Sequence, residues 1–253
     1  MKLKNQDRTY GVEIEMMVPC NGVELANKLQ QAGLTASFEG YTHRITRYWK
    51  VVTDGSISGS IPAGYFAYEL VSPILKGDAG LEEIRKVCEV LASLNAKVNK
   101  SCGLHIHHKS DGIGRARMIN LVNFYKKAEA QLDKMMAPSR RTGNRYCRTM
   151  KDHTPYSDRY FKVNLRSYQL YGTIEFRHHH GTVEFEKISN WIDLTQRIME
   201  RCRRKVTAYR GHDLTWFDVK QALGLVHNAG ERENELVTYC ERRMATLERR
   251  AGL

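Results

Sequence analysis

Glu13 and Glu15 stand two residues apart in Tyr10-Gly11-Val12-Glu13-Ile14-Glu15, with Val12, Ile14 and Met16 in the intervening places. Read as a strand, period two puts both carboxylates on one face and the apolar side chains on the other. Two like charges on one face repel unless a cation lies between them, and hard divalent cations take carboxylate oxygens. Three more stretches share this design. Cys102-Gly103-Leu104-His105-Ile106-His107 sets two imidazoles opposite Leu104 and Ile106. Phe161-Lys162-Val163-Asn164-Leu165-Arg166 sets Lys162, Asn164 and Arg166 opposite Phe161, Val163 and Leu165. Thr173-Ile174-Glu175-Phe176-Arg177 sets Thr173, Glu175 and Arg177 opposite Ile174 and Phe176.

Alternation alone is what any antiparallel sheet with one wet face shows. The residue types are the informative part. A solvated face would be rich in Lys, Thr, Ser and Gln, whereas this one holds carboxylates, imidazoles, an amide and a guanidinium. Glu69 adds a carboxylate among the apolar neighbours of Tyr65–Val71, where a lone buried charge is costly without a metal or a basic partner. The set suits two or more Mg2+ ions bridging nucleotide phosphates, with Arg177 neutralising charge on a transferred phosphoryl group. No G-x-x-x-x-G-K-[ST] phosphate loop is present, so an ATP site must be built in this other way. Plainer readings stand beside these. Glu13 and Glu15 alone suit a solvated acidic face, and His105 and His107 suit core histidines or transition-metal ligands. Arg177 could simply pair with Glu175, and His178-His179-His180 reads as a solvated turn before Gly181.

The elements that must carry these residues follow from patterning. Helices are expected over Val23–Ala32, from an Asp78 N-cap to about Asn95, over Arg115–Met136, over Glu184–Val206, after a Thr215 cap, and over Glu231–Arg250. The buried stripe of the third is expected to be Ile119, Leu121, Val122, Tyr125 and Leu132. Strands are expected at Tyr48–Val52, Tyr65–Val71, Ser101–His108, Tyr160–Tyr168 and Tyr171–His178, the last two as a hairpin. A loop follows the Asp54-Gly55-Ser56 turn, and Ser139–Arg159 is a long basic loop without periodicity. Strands and helices do not alternate regularly, which points to an α+β fold, an antiparallel sheet with helices on one side.

The chain has 253 residues and a net charge of +12, which favours anionic partners. Its basic residues cluster at Arg140, Arg141, Arg145, Arg148 and Lys151, again at Arg201, Arg203, Arg204, Lys205 and Arg210, and at Arg242, Arg243, Arg249 and Arg250. The six cysteines are scattered without a C-x-x-C pair. With no secretory signal and no membrane-spanning run visible, the expected setting is a reduced cytoplasm.

The ordered motifs Gly11–Glu15, Asp54-Gly55-Ser56, Glu69–Pro73, Cys102–His107, Asn164-Leu165, Thr173–Arg177 and Gly181-Thr182 resemble the amidoligase family. These are carboxylate–amine ligases related to glutamine synthetase and glutamate–cysteine ligase. The resemblance spans roughly Tyr10 to Trp191. It implies an antiparallel sheet curved into a funnel with helices on its outer face, in a catalytic domain over residues 1–210. A C-terminal helical extension, 211–253, would pack on that domain. It also implies ATP and at least two Mg2+ ions, with Mn2+ as a substitute. The reaction would form an amide or isopeptide bond through an acyl phosphate, between a carboxylate and an amine supplied by an amino acid or peptide.

Carried over by position, Glu13, Glu15, Glu69, Glu175 and His107 are expected metal ligands. Arg177, Glu175 and His105 are expected at the chemistry. Asn164, Lys162, Arg166, His107, Asp54 and Ser56 are expected against nucleotide or substrate. The triple histidine 178–180 departs from an ordinary strand end, and the basic loop has no role in this resemblance. Two alternatives remain, a metal-dependent hydrolase built on His105 and His107, and an inactive relative that binds nucleic acid through its basic clusters.

Overall fold

The computed structural model describes residues 3–141, 144–152, 158–204, 212–226 and 229–251. Eight strands and seven α-helices lie among them, so the fold is α+β. Two compact units result, one from Asn5–His107 with His180–Trp191, the other from Met1–Lys4, His108–His179 and Ile192–Leu253.

The first unit is built on β1 (Thr9–Val18), whose Val12, Ile14, Met16 and Val18 are buried. Asn21 caps α1 (Gly22–Gln31) by accepting from the Glu24 amide, and the helix buries Leu25, Ala26 and Leu29. Then come β2 (Ala36–Gly40), β3 (Trp49–Val52), β4 (Phe66–Val71), β5 (Leu75–Lys76) and α2 (Gly77–Ser93), and β6 (Gly103–Lys109) runs on into the second unit. The strand order is β2-β3-β4-β1-β6, with β5 paired to the start of β1. The pairs β1/β4 and β3/β4 are antiparallel, as expected, but β2 runs parallel to β3. Patterning gave no sign of β2, because Ala36-Ser37-Phe38-Glu39-Gly40 is short and ends in a glycine.

Helix α2 starts one residue before the expected Asp78 cap. Lys76 is the N-cap and its side chain makes no capping bond to the helix. Gln6 supplies the cap instead, accepting from the Asp78 amide at 3.0 Å while its own amide donates to the Asp78 carboxylate at 3.0 Å. Gly181 comes so close to β6 that a Cβ there would sit 2.4 Å from that of Cys102, and its amide donates to the Cys102 carbonyl at 2.7 Å. This gives the Gly181-Thr182 motif its physical reason.

The second unit contains α3 (Arg115–Lys134), β7 (Val163–Asn164), α4 (Arg166–Tyr171), β8 (Thr173–His180, apart from its last residue), the later part of α5 (Phe185–Arg204), α6 (Trp216–Ala222) and α7 (Glu231–Ala251). Helix α3 packs against α6 and α7. Its buried face includes Leu121, Val122, Tyr125 and Leu132, but Ile119 is half exposed, and Asn120 and Glu129 are buried in its stead.

Two further expectations are corrected here. Tyr160–Tyr168 is not one strand. The Asn164 side chain accepts from the Arg166 amide at 2.8 Å, and Ser167 Oγ donates to the Asn164 carbonyl at 2.9 Å. These local bonds turn the chain out of β7 and into α4. Gly172 then ends α4 in the left-handed region at φ 66°. The histidine triplet is not a turn, because β8 runs through His180, and His178 and His179 are fully buried. The basic segment after α3 is partly structured, with short 3-10 turns at Pro138–Arg140 and Met150–Asp152.

Candidate active site

Strand register brings carboxylates together in the first unit. Glu15 lies opposite Glu69 across β1/β4, and Glu13 lies opposite Val71. Directly opposed residues share a face, so Glu13, Glu15 and Glu69 project to the same side. The next strand adds Lys50 to that side, because it pairs with Val71. From β6, His105 places Nδ1 3.0 Å from Glu13 Oε2 and Nε2 3.6 Å from Glu15 Oε1. His107 Nε2 lies 3.2 Å from Glu13 Oε1. The Gly103 amide donates to Glu15 Oε2 at 2.6 Å and fixes that carboxylate. Asp54 is held by its own turn, accepting from the Ser56 amide at 2.7 Å.

Among the described residues of the first unit, two potential metal-binding sets result, and they share Glu69. Glu13, Glu69 and His105 form one, and Glu15, Asp54 and Glu69 the other, with the ligand atoms of each within 4.8 Å of one another. The second offers only carboxylate oxygens, the donors Mg2+ prefers, and the first adds one imidazole nitrogen, which Mn2+ also accepts.

The electrostatics fit a cation site. Burial and the neighbouring charges of Glu13, Glu15 and Asp54 push the Glu69 carboxyl well above its ordinary range. Burial works the same way on Glu13, but the His107 charge and hydrogen bonds from His105 and His107 outweigh it and hold Glu13 well below. The pair is therefore split, one carboxyl raised and the other lowered, and a cation between them would favour the charged form of both. Lys50 is 3% exposed and donates to the Arg44 carbonyl at 2.5 Å. Its burial lowers the ammonium pKa against the opposing pull of Glu13 and Glu69.

The second unit carries Glu175, Asn164 and Arg177. Glu175 pairs with Asn164 across β7/β8. Asn164 Nδ2 donates to Glu175 Oε2 at 2.6 Å, and Arg177 Nη1 donates to Glu175 Oε1 at 2.5 Å. Glu175 is thus a bridge that orients an amide and a guanidinium.

A family model described as "Putative amidoligase enzyme" matches residues 6–156 and 152–199. The chain belongs to that family. An amidoligase is a ligase that forms carbon–nitrogen bonds, and every motif carrying the resemblance lies inside the matched segments, with α6 and α7 beyond them. No curated protein matches the chain. Among solved structures, a crystal structure of the complex between prokaryotic ubiquitin-like protein Pup and its ligase PafA is similar at 11% identity and a TM-score of 0.47. That likeness covers 96% of this chain and 64% of the other, so the chain spans about two thirds of the length of that neighbour.

In this member of the amidoligase family the expected residues stand as follows. Asp54 joins a carboxylate cluster, and His105 faces two carboxylates with its two ring nitrogens. Lys162 does not share a polar face with Asn164. Its ammonium is wholly buried and donates to Glu129 Oε1 and Asp133 Oδ1, each at 2.6 Å, and to the Arg141 carbonyl at 2.9 Å. Arg166 opens α4 and is exposed. Ser56 is half-buried behind Asp54.

Sequence reasoning missed Lys50, whose only signal was its place in Trp49-Lys50-Val51-Val52. It also missed the network of Tyr125, Glu129, Asp133 and His178. Tyr125 donates to His178 Nδ1 at 2.8 Å, and His178 Nε2 donates to Asp133 Oδ1 at 2.7 Å. Three of the basic residues are also explained internally. Arg140 is buried, Arg201 lies over Phe124 at 4.7 Å, and Arg203 pairs with Glu200. Lys205 and Arg210 lie outside the described residues.

Proposed function

We propose that this chain is an ATP- and Mg2+-dependent carboxylate–amine ligase that forms an amide or isopeptide bond through an acyl phosphate. The carrying observation is the pair of overlapping ligand sets on one face of β1 and β4, joined at Glu69, in a member of the amidoligase family. Glu13, Glu15, Asp54, Glu69 and His105 would hold the metal, with His107 steadying Glu13. Bound there, Mg2+ would offset the negative charge of nucleotide phosphates.

The chemistry asks little covalent work of the protein. A substrate carboxylate oxygen bonds to the γ-phosphorus and ADP leaves. The amine nitrogen then bonds to the acyl carbon, phosphate leaves, and the amine gives up a proton. What the chain must supply is position and charge. Glu175 holds the Arg177 guanidinium in a fixed direction, ready to stabilise the charge on a transferring phosphoryl group. Asn164, bound to the same carboxylate, presents its amide to nucleotide or substrate. No helix among the described residues is long and apolar enough to cross a membrane, and the substrates proposed are water-soluble amino acids or peptides.

The test is ADP release from purified protein with Mg2+, a carboxylate and an amine, each omitted in turn. Turnover should need all of them and should disappear in Glu15→Ala and Arg177→Ala. Undiminished turnover in both variants would overturn the assignment, and Zn2+ activation with hydrolysis but no ADP would replace it with the hydrolase.

A further inference from the structure

The basic segment after α3 has no part in the chemistry assigned above, yet its side chains are ordered against one another. Arg145 lies over the Tyr146 ring at 4.6 Å, and Tyr146 meets Tyr160 edge-on at 5.6 Å. The Tyr160 ring carries Arg159 at 5.1 Å and Arg177 at 6.0 Å. Two tyrosines in edge contact, each carrying arginine on its ring, therefore form a ledge that ends on Arg177. All of it lies within the second unit.

The backbone holds this ledge in place. The Arg148 amide donates to the Tyr160 carbonyl at 2.7 Å, the Lys162 amide to the Arg148 carbonyl at 3.1 Å, and the Arg177 amide to the Lys162 carbonyl at 2.9 Å. Below it, Glu129 accepts from the Met150 amide and Thr149 Oγ1, and Lys162 binds the Arg141 carbonyl. Arg141, Arg148, Met150 and Tyr160 are thus tied to the buried Lys162 network or its Glu129 partner.

Charge accounting then separates the arginines. Arg148 is committed to Asp158. Arg145 and Arg159 are exposed, and each donates to a tyrosine hydroxyl, at 2.6 and 3.2 Å, with the Glu175 charge reaching Arg159 only through space. A phenol orients a guanidinium without neutralising it. Tyr160 already carries two guanidiniums, so the ledge presents cationic N–H edges more than open aromatic faces. Such edges match carboxylates, which they bind in a fork. An acidic polypeptide offers several carboxylates at once to such a row of edges.

We infer that this arginine–tyrosine ledge docks the carboxylate substrate, and that the substrate is a polypeptide segment carrying several acidic side chains, one of which is delivered toward Arg177. The choice of ledge occupant rests on the ligase reading, since that reaction needs a carboxylate.

The experiment is fluorescence anisotropy of a labelled ten-residue peptide with glutamate at alternate positions, titrated with the full chain in the absence of ATP and metal. The acidic peptide should bind, with affinity falling as salt rises, and its glutamine counterpart should bind at least about tenfold more weakly. The Arg145→Gln/Arg159→Gln double variant should lose about tenfold in affinity, and Arg145→Lys/Arg159→Lys should recover part of it. Equal binding of the acidic peptide by wild type and the glutamine variant, or no binding by wild type, overturns the proposal. Tighter binding of a single-stranded oligonucleotide, lost in the same variant, overturns it in favour of nucleic acid. Peptide binding uses neither ATP nor metal, so missing ADP release alongside intact, arginine-dependent binding counts against the ligase reading alone.

Discussion

Glu15 and Glu69 lie directly opposite each other across β1 and β4, so two carboxylates share one face at the closest spacing a sheet allows. Left alone, such a pair destabilises the sheet. Glu15 is steadied by the Gly103 amide, and Glu69 takes the strain as a carboxyl that resists ionisation. A cation bound at the proposed site would offset that cost.

Glu69→Gln should therefore separate sheet stability from cation affinity. Replacing Glu69 removes the repulsion with Glu13, Glu15 and Asp54 and should leave the metal-free protein at least as stable by urea denaturation. Divalent cation affinity, measured by calorimetry, should fall by at least about tenfold, because both ligand sets lose their shared member. Cation affinity of the wild type should rise with pH as the Glu69 proton becomes easier to displace, and binding should release protons to the buffer. Unchanged affinity in Glu69→Gln would place the metal elsewhere.

Arg177→Lys should not rescue turnover. The guanidinium is aimed by Glu175, which also holds Asn164, and a lysine's compact ammonium cannot reproduce the planar guanidinium's directed N–H groups. Loss of a positioned charge at a transferring group costs roughly a hundredfold to a thousandfold in kcat. Glu175→Gln should show a smaller loss with an unchanged melting temperature, read by single-turnover ADP release. Full activity in Arg177→Lys would remove Arg177 from the chemistry.

Lys162→Met should destabilise the second unit strongly. The ammonium is buried and satisfies Glu129, Asp133 and the Arg141 carbonyl. Removing it leaves two carboxylates without their cation, at a cost of about 3–5 kcal/mol. A urea midpoint within error of wild type would contradict that account. Lys162→Met with Glu129→Gln should recover part of the loss.

Acidification should weaken the same region. Burial, with the charge of Lys162, lowers the His178 pKa to about 4, against 6.5 for the ordinary side chain. Between those values the unfolded chain takes a proton that the native one excludes. The folded state is therefore unpenalised above about pH 6.5 and loses stability as pH falls toward 4, by about 3 kcal/mol at roughly 1.4 kcal/mol per pH unit. Asp133, held low by hydrogen bonds from His178 and Lys162 that outweigh its burial, adds to the loss at still lower pH. Denaturation midpoints at pH 7.5 and 5 should differ in wild type and converge in His178→Asn if that variant folds. A flat profile in wild type would show that His178 is charged where it lies.

Much of the site could be read from local pattern. Period-two alternation told which residues of β1, β6 and β8 share a face, because that rule depends only on backbone geometry. The order of the motifs showed the family, and helical spacing located α1, α3, α5 and α7 to within a few residues. What local pattern could not supply was pairing. Nothing in Glu13–Glu15 says that Glu69, 54 residues beyond Glu15, is its cross-strand neighbour, or that Asp54 reaches the same cluster. Lys162 looked like a member of a polar face because its spacing from Asn164 fits a strand. Asn164 instead bends the backbone into α4, and Lys162 turns to carboxylates on α3 about thirty residues earlier. A local hydrogen bond decided the first and a long-range charge pair the second. Side-chain type and spacing thus determined the chemical inventory and the faces that carry it. Only the tertiary structure decided which charges meet, since a buried ion takes whatever counter-charge the folded chain brings within reach.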